Sequence, residues 1–339
     1  MSDDVYTTSL KTNNYTIIDS YSKAIHRMNE YRNVLCSISG GSDSDIVLDI
    51  IHNVDDSGKV QYYWIDTGLE YQATKEHLSF LEDKYGIEIH RIKPKKSIPT
   101  CVREYGVPFL SKYVSEQMMR LQKHGFKWED EPLEVLMERY PNCKTALQWW
   151  CNCYYTAENG VQQMSRFSIN KNRWLKEFII QNPPDFPISN KCCEYAKKKP
   201  AKAFIKETDA DMEITGIRKS EGGIRSANYK TCFSDSKSKG CATYRPIFWY
   251  SDGDKRDYED FYGVTHSRCY SEYGMRRTGC VGCPFNQHIN DELEIIKENE
   301  PKLYTAAMNI FGKSYEYTQK YRDFVKIMKA KEKEQKKND

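Results

Sequence analysis

The chain has 339 residues, of which 39% are hydrophobic, 29% are charged and 13% are aromatic. The length exceeds the ~150 residues of a typical domain, and the composition excludes a disordered chain, which would be poor in apolar and aromatic residues. The net charge of +3 neither requires nor excludes a nucleic-acid partner, because a basic patch can exist within a balanced total.

Two further observations concern location and redox state. No run approaches the ~18 consecutive apolar residues of a membrane span, and the first ten residues lack the apolar core of a signal peptide. We therefore expect a soluble, cytoplasmic protein without a membrane partner. In that compartment, twelve cysteines favour thiolate chemistry or metal ligation over disulfides.

The first third of the chain predicts alternating helices and strands, because helical spacing alternates with short apolar runs. The expected elements are a helix at Ser20–Arg32, a strand at Val34–Ile38, a helix at Asp45–His52, a strand at Val60–Ile65, a helix at Tyr71–Tyr85 and a strand at Ile87–Ile92. This order is typical of a parallel sheet with right-handed crossovers. We therefore expect an α/β fold with a doubly wound, mostly parallel sheet.

After about residue 115 the pattern becomes helical and rich in aromatic residues, until Pro183 and Pro184 end it. Met212–Gly216 predicts another strand of the same sheet. Residues 291–326 predict helix, and the charged tail Lys329–Asp339 is expected to fray. The expected parts are the first α/β segment (1–115), a helical insertion (116–186), a segment that completes the sheet and carries cysteines (187–290), and C-terminal helices with a charged tail (291–339).

A glycine-serine loop, SGGSDS at 39–44, stands between the first strand and its helix. Gly40 and Gly41 allow a tight turn with inward N–H groups, and the following helix adds its own N–H groups and the positive end of its dipole. The loop is therefore suited to bind an oxyanion, while Asp43 could hold a magnesium ion, cap the helix or do both. The alternative is an ordinary turn with capping residues. Asp66-Thr67-Gly68 follows the second strand and favours binding, because ligands of open parallel sheets bind at the carboxyl ends of strands.

Two cysteine pairs form a candidate metal site. Cys192-Cys193 is followed by Cys280-Val-Gly-Cys283, whose CxxC turn presents two sulfurs to one ion. Four thiolates suit an iron–sulfur cluster, and they suit zinc equally well. Because adjacent cysteines ligate together only with a strained backbone, Cys232 or Cys241 could replace Cys192.

The sequence resembles a known family at several motifs. SGGSDS is similar to the SGGxDS signature of the PP-loop ATP pyrophosphatases, and WIDTGLEYQAT (64–74) resembles the phosphoadenosine phosphosulfate reductase branch of that superfamily. YGVPFLSK (105–112) and ITGIRKSEGGIR (214–225) strengthen the resemblance. It implies binding of an adenine nucleotide, as ATP with Mg²⁺, by Ser39, Gly40, Gly41, Ser42, Asp43, Ser44, Asp66, Thr67 and Lys112.

The same resemblance implies catalytic roles and a cofactor. Asp43 would act in catalysis, and Arg218 and Arg225 would bind phosphate or sulfate oxygens. The alternative for these arginines is pairing with Glu221 or other carboxylates. The CC…CxxC spacing resembles the arrangement that holds a 4Fe–4S cluster in adenylylsulfate reductases.

Two features favour ATP-dependent transfer over sulfonucleotide reduction. A reductase needs a mobile C-terminal cysteine as its nucleophile, and no cysteine follows Cys283. The intact SGGSDS loop is the form associated with cleaving ATP between its α and β phosphates. We therefore predict adenylylation of an acceptor followed by sulfur transfer, with a possible sulfur donor protein and a possible nucleic-acid partner, as in the DNA phosphorothioation proteins and tRNA thiolases of the superfamily.

Two other functions stay open. One is a sulfonucleotide reductase whose nucleophile is an internal cysteine, Cys232, Cys241 or Cys269. The other is a non-catalytic nucleotide- or nucleic-acid-binding subunit, in which tryptophans stack on bases between basic residues. The residues concerned are Trp149, Trp150, Trp174, Lys171, Arg173 and Lys176. Aromatic residues of a helical segment more often form core.

Overall fold

The structure is a computed structural model that describes residues 12–156, 160, 162–164, 168–222, 229–235 and 240–338. The chain divides into two compact units. The first unit comprises Met1–Ser97, Tyr195–Val281 and Glu298–Glu300, and the second comprises Ile98–Glu194, Gly282–Lys297 and Pro301–Asp339. The four segments expected from the sequence stay a prediction.

Helices account for most of the regular structure. In chain order they are α1 (Tyr15–Glu30), α2 (Ser42–Val54), α3 (Gln72–Tyr85), α4 (Ile98–Tyr105), α5 (Lys112–Lys123), α6 (Leu133–Arg139), α7 (Lys144–Trp150), α8 (Leu175–Gln181), α9 (Lys191–Cys193), α10 (Lys199–Glu207), α11 (Asp252–Tyr262), α12 (Arg268–Ser271), α13 (Ile289–Asn299) and α14 (Pro301–Asn338). Among the described residues, none of these helices combines the length and apolar composition needed to span a membrane.

The strands form a large sheet and a hairpin. They are β1 (Val34–Ser37), β2 (Val60–Ile65), β3 (Ile89–Ile92), β4 (Tyr154–Thr156), β5 (Gln162–Met164), β6 (Met212–Thr215), β7 (Phe233–Ser234) and β8 (Ala242–Tyr244). The six-stranded sheet of the first unit has the order β3-β2-β1-β6-β8-β7, and every pairing is parallel except that of β7 with β8. The predicted α/β fold with a mostly parallel sheet is confirmed.

The central strands of the sheet are apolar on both faces. Val34 and Cys36 of β1 pack in the same cluster as Ile46 and Ile50 of α2. Leu35, which points to the opposite face, packs in a second cluster with residues of α10. Because helices cover both faces, the strand is a continuous apolar run without the alternation of a half-exposed strand.

The register places three strand ends at one edge. Ser37 of β1 is opposite Tyr63 of β2 and Thr215 of β6. The chain segments that leave these strands are the SGGSDS loop, the turn that begins at Asp66 and the segment that begins at Gly216. The first unit therefore brings together three of the predicted motifs at the carboxyl edge of its sheet, where ligands of such sheets bind.

The second unit has an aromatic core. Phe109, Trp150 and Phe178 are fully buried in one cluster, together with Tyr317 of α14. Trp149 is also buried. These side chains fill the unit with large apolar surfaces, as expected for a helical segment rich in aromatic residues.

Two sequence expectations in this part of the chain need correction. The segment expected to be helical contains the β4–β5 hairpin, in a region with tyrosine and threonine, which favour strands. The tail from Lys329, expected to fray, continues α14 to Asn338. Alanine, lysine, glutamate and glutamine are strong helix formers, so the tail can extend a helix that is already nucleated by its packed N-terminal part.

Candidate functional site

The loop between β1 and α2 is shaped by glycine and by its own hydroxyl groups. Gly40 has a left-handed φ of +68°, and a Cβ at this position would lie 2.5 Å from Thr74 Cγ2. Ser44 Oγ donates to the Gly41 carbonyl at 2.7 Å and accepts the Ser39 N–H at 3.2 Å. Ser39 Oγ in turn accepts the Gly41 N–H at 3.2 Å. Two of the predicted anion-binding serines therefore stiffen the loop itself.

The segment after β6 supports this loop closely. A Cβ on Gly216 would lie 3.1 Å from the Asp43 carbonyl oxygen, so a glycine here permits the close approach of two backbones. Asp43 and Asp45 both lie in the first turn of α2, which Gly41 precedes. The N–H groups and positive dipole end of α2 thus face the same edge of the sheet as the loop.

Asp43 is held by two cations. Arg218 Nε donates to Asp43 Oδ1 at 3.0 Å, and Lys255 Nζ donates to the same oxygen at 2.9 Å. Lys255 Nζ also donates to Ser42 Oγ. Asp43 Oδ1 therefore already receives two cationic donors, and the magnesium role expected for Asp43 stays a prediction.

Arg218 is a buried guanidinium with two carboxylate partners. Besides Asp43, it binds Asp252 Oδ1 through an Nη atom at 2.8 Å and Ser220 Oγ at 2.9 Å. Burial lowers the pKa of Arg218, but the bonds to Asp252 and Asp43 outweigh it and raise that pKa above its usual value. The sequence alternative of carboxylate pairing is thus realised, with Asp43 and Asp252 as the carboxylates.

Asp45 is buried on the other side of the same helical turn. Its Oδ2 lies 3.0 Å from His77 Nε2 and 2.8 Å from His266 Nδ1, and His266 Nε2 lies 2.8 Å from Glu259 Oε1. Burial opposes the charged forms of both residues, yet the bonds lower the pKa of Asp45 and raise the pKa of His266 to about 9. A protonated His266 between two carboxylates therefore stabilises the start of α2.

Two hydroxyl groups from a distant segment lie against the loop. Tyr270 Oη accepts the N–H groups of Ser42 and Thr278, each at 3.2 Å, and lies 3.2 Å from Thr278 Oγ1. A Cβ on Gly41 would lie 3.3 Å from both oxygens. The segment that leads to Cys280 therefore contacts the SGGSDS loop directly.

Cys280 also contacts the turn after β2. Thr67 Oγ1 lies 2.5 Å from Glu70 Oε1 and 3.9 Å from Cys280 Sγ, and the Val281 N–H donates to the Leu69 carbonyl at 3.0 Å. Burial raises the pKa of Glu70, against the opposing effect of Lys197. Within the first unit, Cys280 therefore lies against the turn after β2, two residues after Thr278, which lies against the SGGSDS loop.

The other predicted cysteine ligands belong to the second unit. Cys192 is buried in α9, and Cys193 and Cys283 are half-buried. Between Cys280 and Cys283 the turn uses Gly282, whose φ is +60°. Among the described residues, no group of three or more His, Cys, Asp or Glu side chains is arranged to hold a metal ion. The four-cysteine set, and its variants with Cys232 or Cys241, stays a prediction.

Arg225 and Lys112 are the remaining predicted site residues. Arg225 lies outside the described residues. Lys112 is the exposed first residue of α5 in the second unit, directly after the capping Ser111. Its predicted nucleotide-binding role stays a prediction.

A family model decides the relationship of this chain to known proteins. The model of the phosphoadenosine phosphosulfate reductase domain matches residues 33–128 and 134–286. The chain belongs to the phosphoadenosine phosphosulfate reductase domain family. It is thus a member of the PP-loop superfamily, as the SGGSDS and WIDTGLEYQAT motifs predicted.

Several individual proteins are similar to this family member. The uncharacterized protein MJ0066 of Methanocaldococcus jannaschii is 25% identical over 291 residues, which are 85% of this chain and 42% of that protein. The chain therefore spans less than half the length of the curated relative that it matches.

Among solved structures, the phosphoadenylyl-sulfate reductase of Candida auris in its phosphate complex has a TM-score of 0.42 at 13% identity, and covers 83% of this chain and 96% of its own. The U34-tRNA thiolase NcsA of Methanococcus maripaludis with its [4Fe-4S] cluster has a TM-score of 0.39 at 11% identity and covers 92% and 79%. The NH3-dependent NAD synthetase of Campylobacter jejuni has a TM-score of 0.34 at 12% identity and covers 88% and 95%.

Sequence reasoning missed several residues of the site in this family member. Lys255 and Glu259 have the i, i+4 spacing of an ordinary solvated ion pair, so their pattern carried no functional signal. Tyr270 is one of 25 tyrosines. His266 stands in no motif that we recognised. Only the fold brings these side chains to the loop.

Proposed function

We propose that the chain is an ATP-dependent adenylyl transferase that prepares an acceptor for sulfur transfer. One observation carries the proposal: the segment with Thr278 and Cys280 contacts both the SGGSDS loop and the turn after β2. A loop suited to the phosphates of a nucleotide and a cysteine suited to sulfur chemistry thus belong to one constellation.

The loop would receive the phosphates of ATP. An acceptor oxygen attacks the α-phosphorus, the bond from that phosphorus to the bridging oxygen breaks, and pyrophosphate leaves with the electron pair. The N–H groups at the start of α2 and the guanidinium of Arg218 would stabilise the charge that develops on the departing oxygens. Magnesium would arrive on the phosphates of ATP, since Asp43 Oδ1 is engaged by Arg218 and Lys255.

The second step consumes the adenylylated acceptor. A sulfur nucleophile attacks the carbon or phosphorus that bears the adenylylated oxygen, and AMP leaves with the electron pair of the broken bond. The acceptor belongs to a nucleic acid or a small molecule, and the sulfur comes from a donor protein or from sulfide.

The predicted 4Fe–4S cluster would be held by Cys192, Cys193, Cys280 and Cys283, with zinc as the alternative. Iron and sulfide content and the visible spectrum of anaerobically purified protein test this part. A colourless protein with one zinc per chain would contradict the cluster.

The function itself is tested by pyrophosphate release from ATP in the presence of sulfide and either tRNA or duplex DNA. We expect release by the wild type and its loss in Asp43→Ala and Gly41→Val, since a valine at 41 collides with the hydroxyls of Tyr270 and Thr278. Asp19→Ala is the matched control, because Asp19 is half-exposed on α1 and pairs only with Lys23 among the described contacts. If the wild type released no pyrophosphate with either acceptor, the proposal would be contradicted.

A sulfonucleotide reductase is the second candidate, favoured by the description of the family domain. Its nucleophile would be one of the internal cysteines Cys232, Cys241 and Cys269. Cys269 is fully buried with its pKa raised by burial, and burial raises the pKa of Cys241 to about 11. Both thiols are therefore poor nucleophiles at neutral pH. Sulfite release from a sulfonucleotide with a thiol reductant would replace the first proposal by this one.

The non-catalytic binding subunit has less support. Trp149 and Trp150, which were considered as stacking platforms, are 4% and 0% exposed and lie in the core of the second unit. Trp174 is half-buried beneath the guanidinium of Arg173. Retention of nucleic acid at moderate salt without turnover of ATP or a sulfonucleotide would favour this function.

A further inference from the structure

Lys255 is a partly buried ammonium group aimed at the anion-binding loop from a distant helix. It lies in the first turn of α11, and its side chain is only 16% exposed. Its Nζ donates to Ser42 Oγ and to Asp43 Oδ1, across a separation of more than 200 residues. A lysine usually leaves its ammonium group in water, so this position needs an explanation.

A row of ionised side chains fixes the position of this ammonium. Glu259, one turn further along α11, lies 3.7 Å from Lys255 Nζ and 2.8 Å from His266 Nε2. His266 is bonded to Asp45, which His77 also holds. The charges of these side chains thus alternate in sign. The row connects two carboxylates of the first turn of α2, because Lys255 binds Asp43 at one end and His266 binds Asp45 at the other.

The oxygens that now accept hydrogen bonds from Lys255 are ones that a bound anion could replace. Ser42 stands at the N-terminus of α2, where helix N–H groups and the dipole favour negative charge. A polyphosphate entering the loop brings acceptor oxygens to the place where Lys255 now donates to a hydroxyl and a carboxylate. The ammonium carries three donors on one rotatable group, so it can bind a phosphate oxygen without leaving the loop.

We propose that Lys255 binds the phosphates beyond the α-phosphate and so selects nucleoside triphosphates over monophosphates and other single-anion nucleotides. The inference rests on the proposed function and names its substrate class. If Lys255 only connected α11 to the loop, its removal would have a different effect. It would lower the affinity for all ligands alike, or it would lower only the stability of the fold.

The experiment measures the affinity of inorganic pyrophosphate, ATP and AMP by titration calorimetry on the full chain. Lys255→Met removes the charge and keeps much of the side-chain length, while Lys255→Arg keeps the charge. The matched control is Lys23→Met, which removes a half-exposed lysine of α1 that pairs with Asp19. Melting temperatures establish that each variant is folded, and Lys255→Gln serves if the methionine variant is not.

We expect Lys255→Met to lower the affinity for pyrophosphate and ATP at least tenfold and to change the affinity for AMP by no more than twofold. For Lys255→Arg, the affinity for every ligand should stay within about threefold of the wild-type value. Unchanged pyrophosphate affinity in folded Lys255→Met, or an equal loss for AMP, would overturn the role of Lys255 while leaving the proposed function intact. A wild type that binds neither ATP nor pyrophosphate would overturn both.

Discussion

The two units of the molecule differ in what they bury. The first unit buries Asp45, His77 and Arg218, each bonded to an oppositely charged or titratable partner. The core of the second unit is built from side chains such as Trp150 and Phe178. Burying an ionised group is costly unless it is paired, and the paired charges of the first unit make its carboxyl edge the candidate place for chemistry.

One residue of the second unit sharpens this contrast. Glu292 is a buried carboxylate that accepts the Gly282 N–H at 3.3 Å, while Tyr315 donates to the Gly282 carbonyl. A Cβ on Gly282 would lie 2.6 Å from Tyr315 Oη. The buried charge of this unit thus supports Gly282, which directly precedes Cys283 in the segment that the sequence assigns to sulfur or metal chemistry.

The largest expected effect tests whether the aromatic core serves stability alone. Trp150→Ala removes a fully buried indole and its bond from Nε1 to the Glu129 carbonyl at 2.8 Å, so we expect a loss of about 4 kcal/mol in the free energy of unfolding. Urea titration measures this loss, and Tyr15→Ala, at a residue 85% exposed, is the neutral control. Pyrophosphate affinity of the folded variant should be unchanged; a tenfold loss would break the contrast between the units.

The second effect concerns the loop. Gly40→Ala places a methyl group 2.5 Å from Thr74 Cγ2 at a left-handed φ, and we expect pyrophosphate release to fall at least a hundredfold, ~2.7 kcal/mol in activation free energy. Gly58→Ala is the matched control, because Gly58 has a similar φ of +63° but nothing within 4 Å of its added Cβ. Equal activities of the two variants would show that the loop geometry does not matter.

The third effect is a pH dependence. Since the pKa of His266 is about 9 in the folded chain and 6.5 is its ordinary value, its stabilisation is complete below pH 6.5 and is lost as pH rises through 9. At ~1.4 kcal/mol per pH unit, the free energy of unfolding should fall by about 2 kcal/mol between pH 7 and pH 9. Urea titrations of the wild type and His266→Asn at both pH values measure it. A variant with the same pH slope as the wild type would contradict this assignment.

The smallest effect is expected at a surface ion pair of the second unit. Arg120 and Glu116 are neighbours on α5, and their side chains are 44% and 36% exposed. Arg120→Ala should cost no more than ~0.5 kcal/mol of unfolding free energy, because exposed pairs gain little over their solvated forms. A cost above 1 kcal/mol, or any change in pyrophosphate release, would show that charge matters in this unit as it does in the first.

Much of the sheet could be predicted from local patterns. The strand at Val60–Ile65 has the predicted bounds, and those at Val34 and Met212 each end one residue earlier than expected. The apolar runs, the glycine stops and the loop between β1 and α2 are properties of a few consecutive residues. The β4–β5 hairpin and the continuation of α14 were missed, because short strands and polar helical tails depend on their surroundings more than on their own pattern.

The candidate site divides in the same way. Gly40, Gly41 and Asp43 could be identified from the loop alone, and Arg218 from its motif. Asp43 as a magnesium ligand could not be judged, since nothing in the sequence shows that Arg218 and Lys255 converge on one of its oxygens. Nor could Tyr270 and Thr278 be linked to the loop, because they reach it from a segment more than 200 residues away.

The sequence by itself determined the alternation of strands and helices, the glycine turn and the supply of cysteines, since these need only the conformational preferences of neighbouring residues. Tertiary structure alone decided which charges are buried, that Asp45 lies between two histidines, and that Lys255 and Cys280 border predicted nucleotide-binding segments. Burial and pairing depend on side chains that become neighbours only when the sheet has formed, and that distance information is absent from any short stretch of the chain.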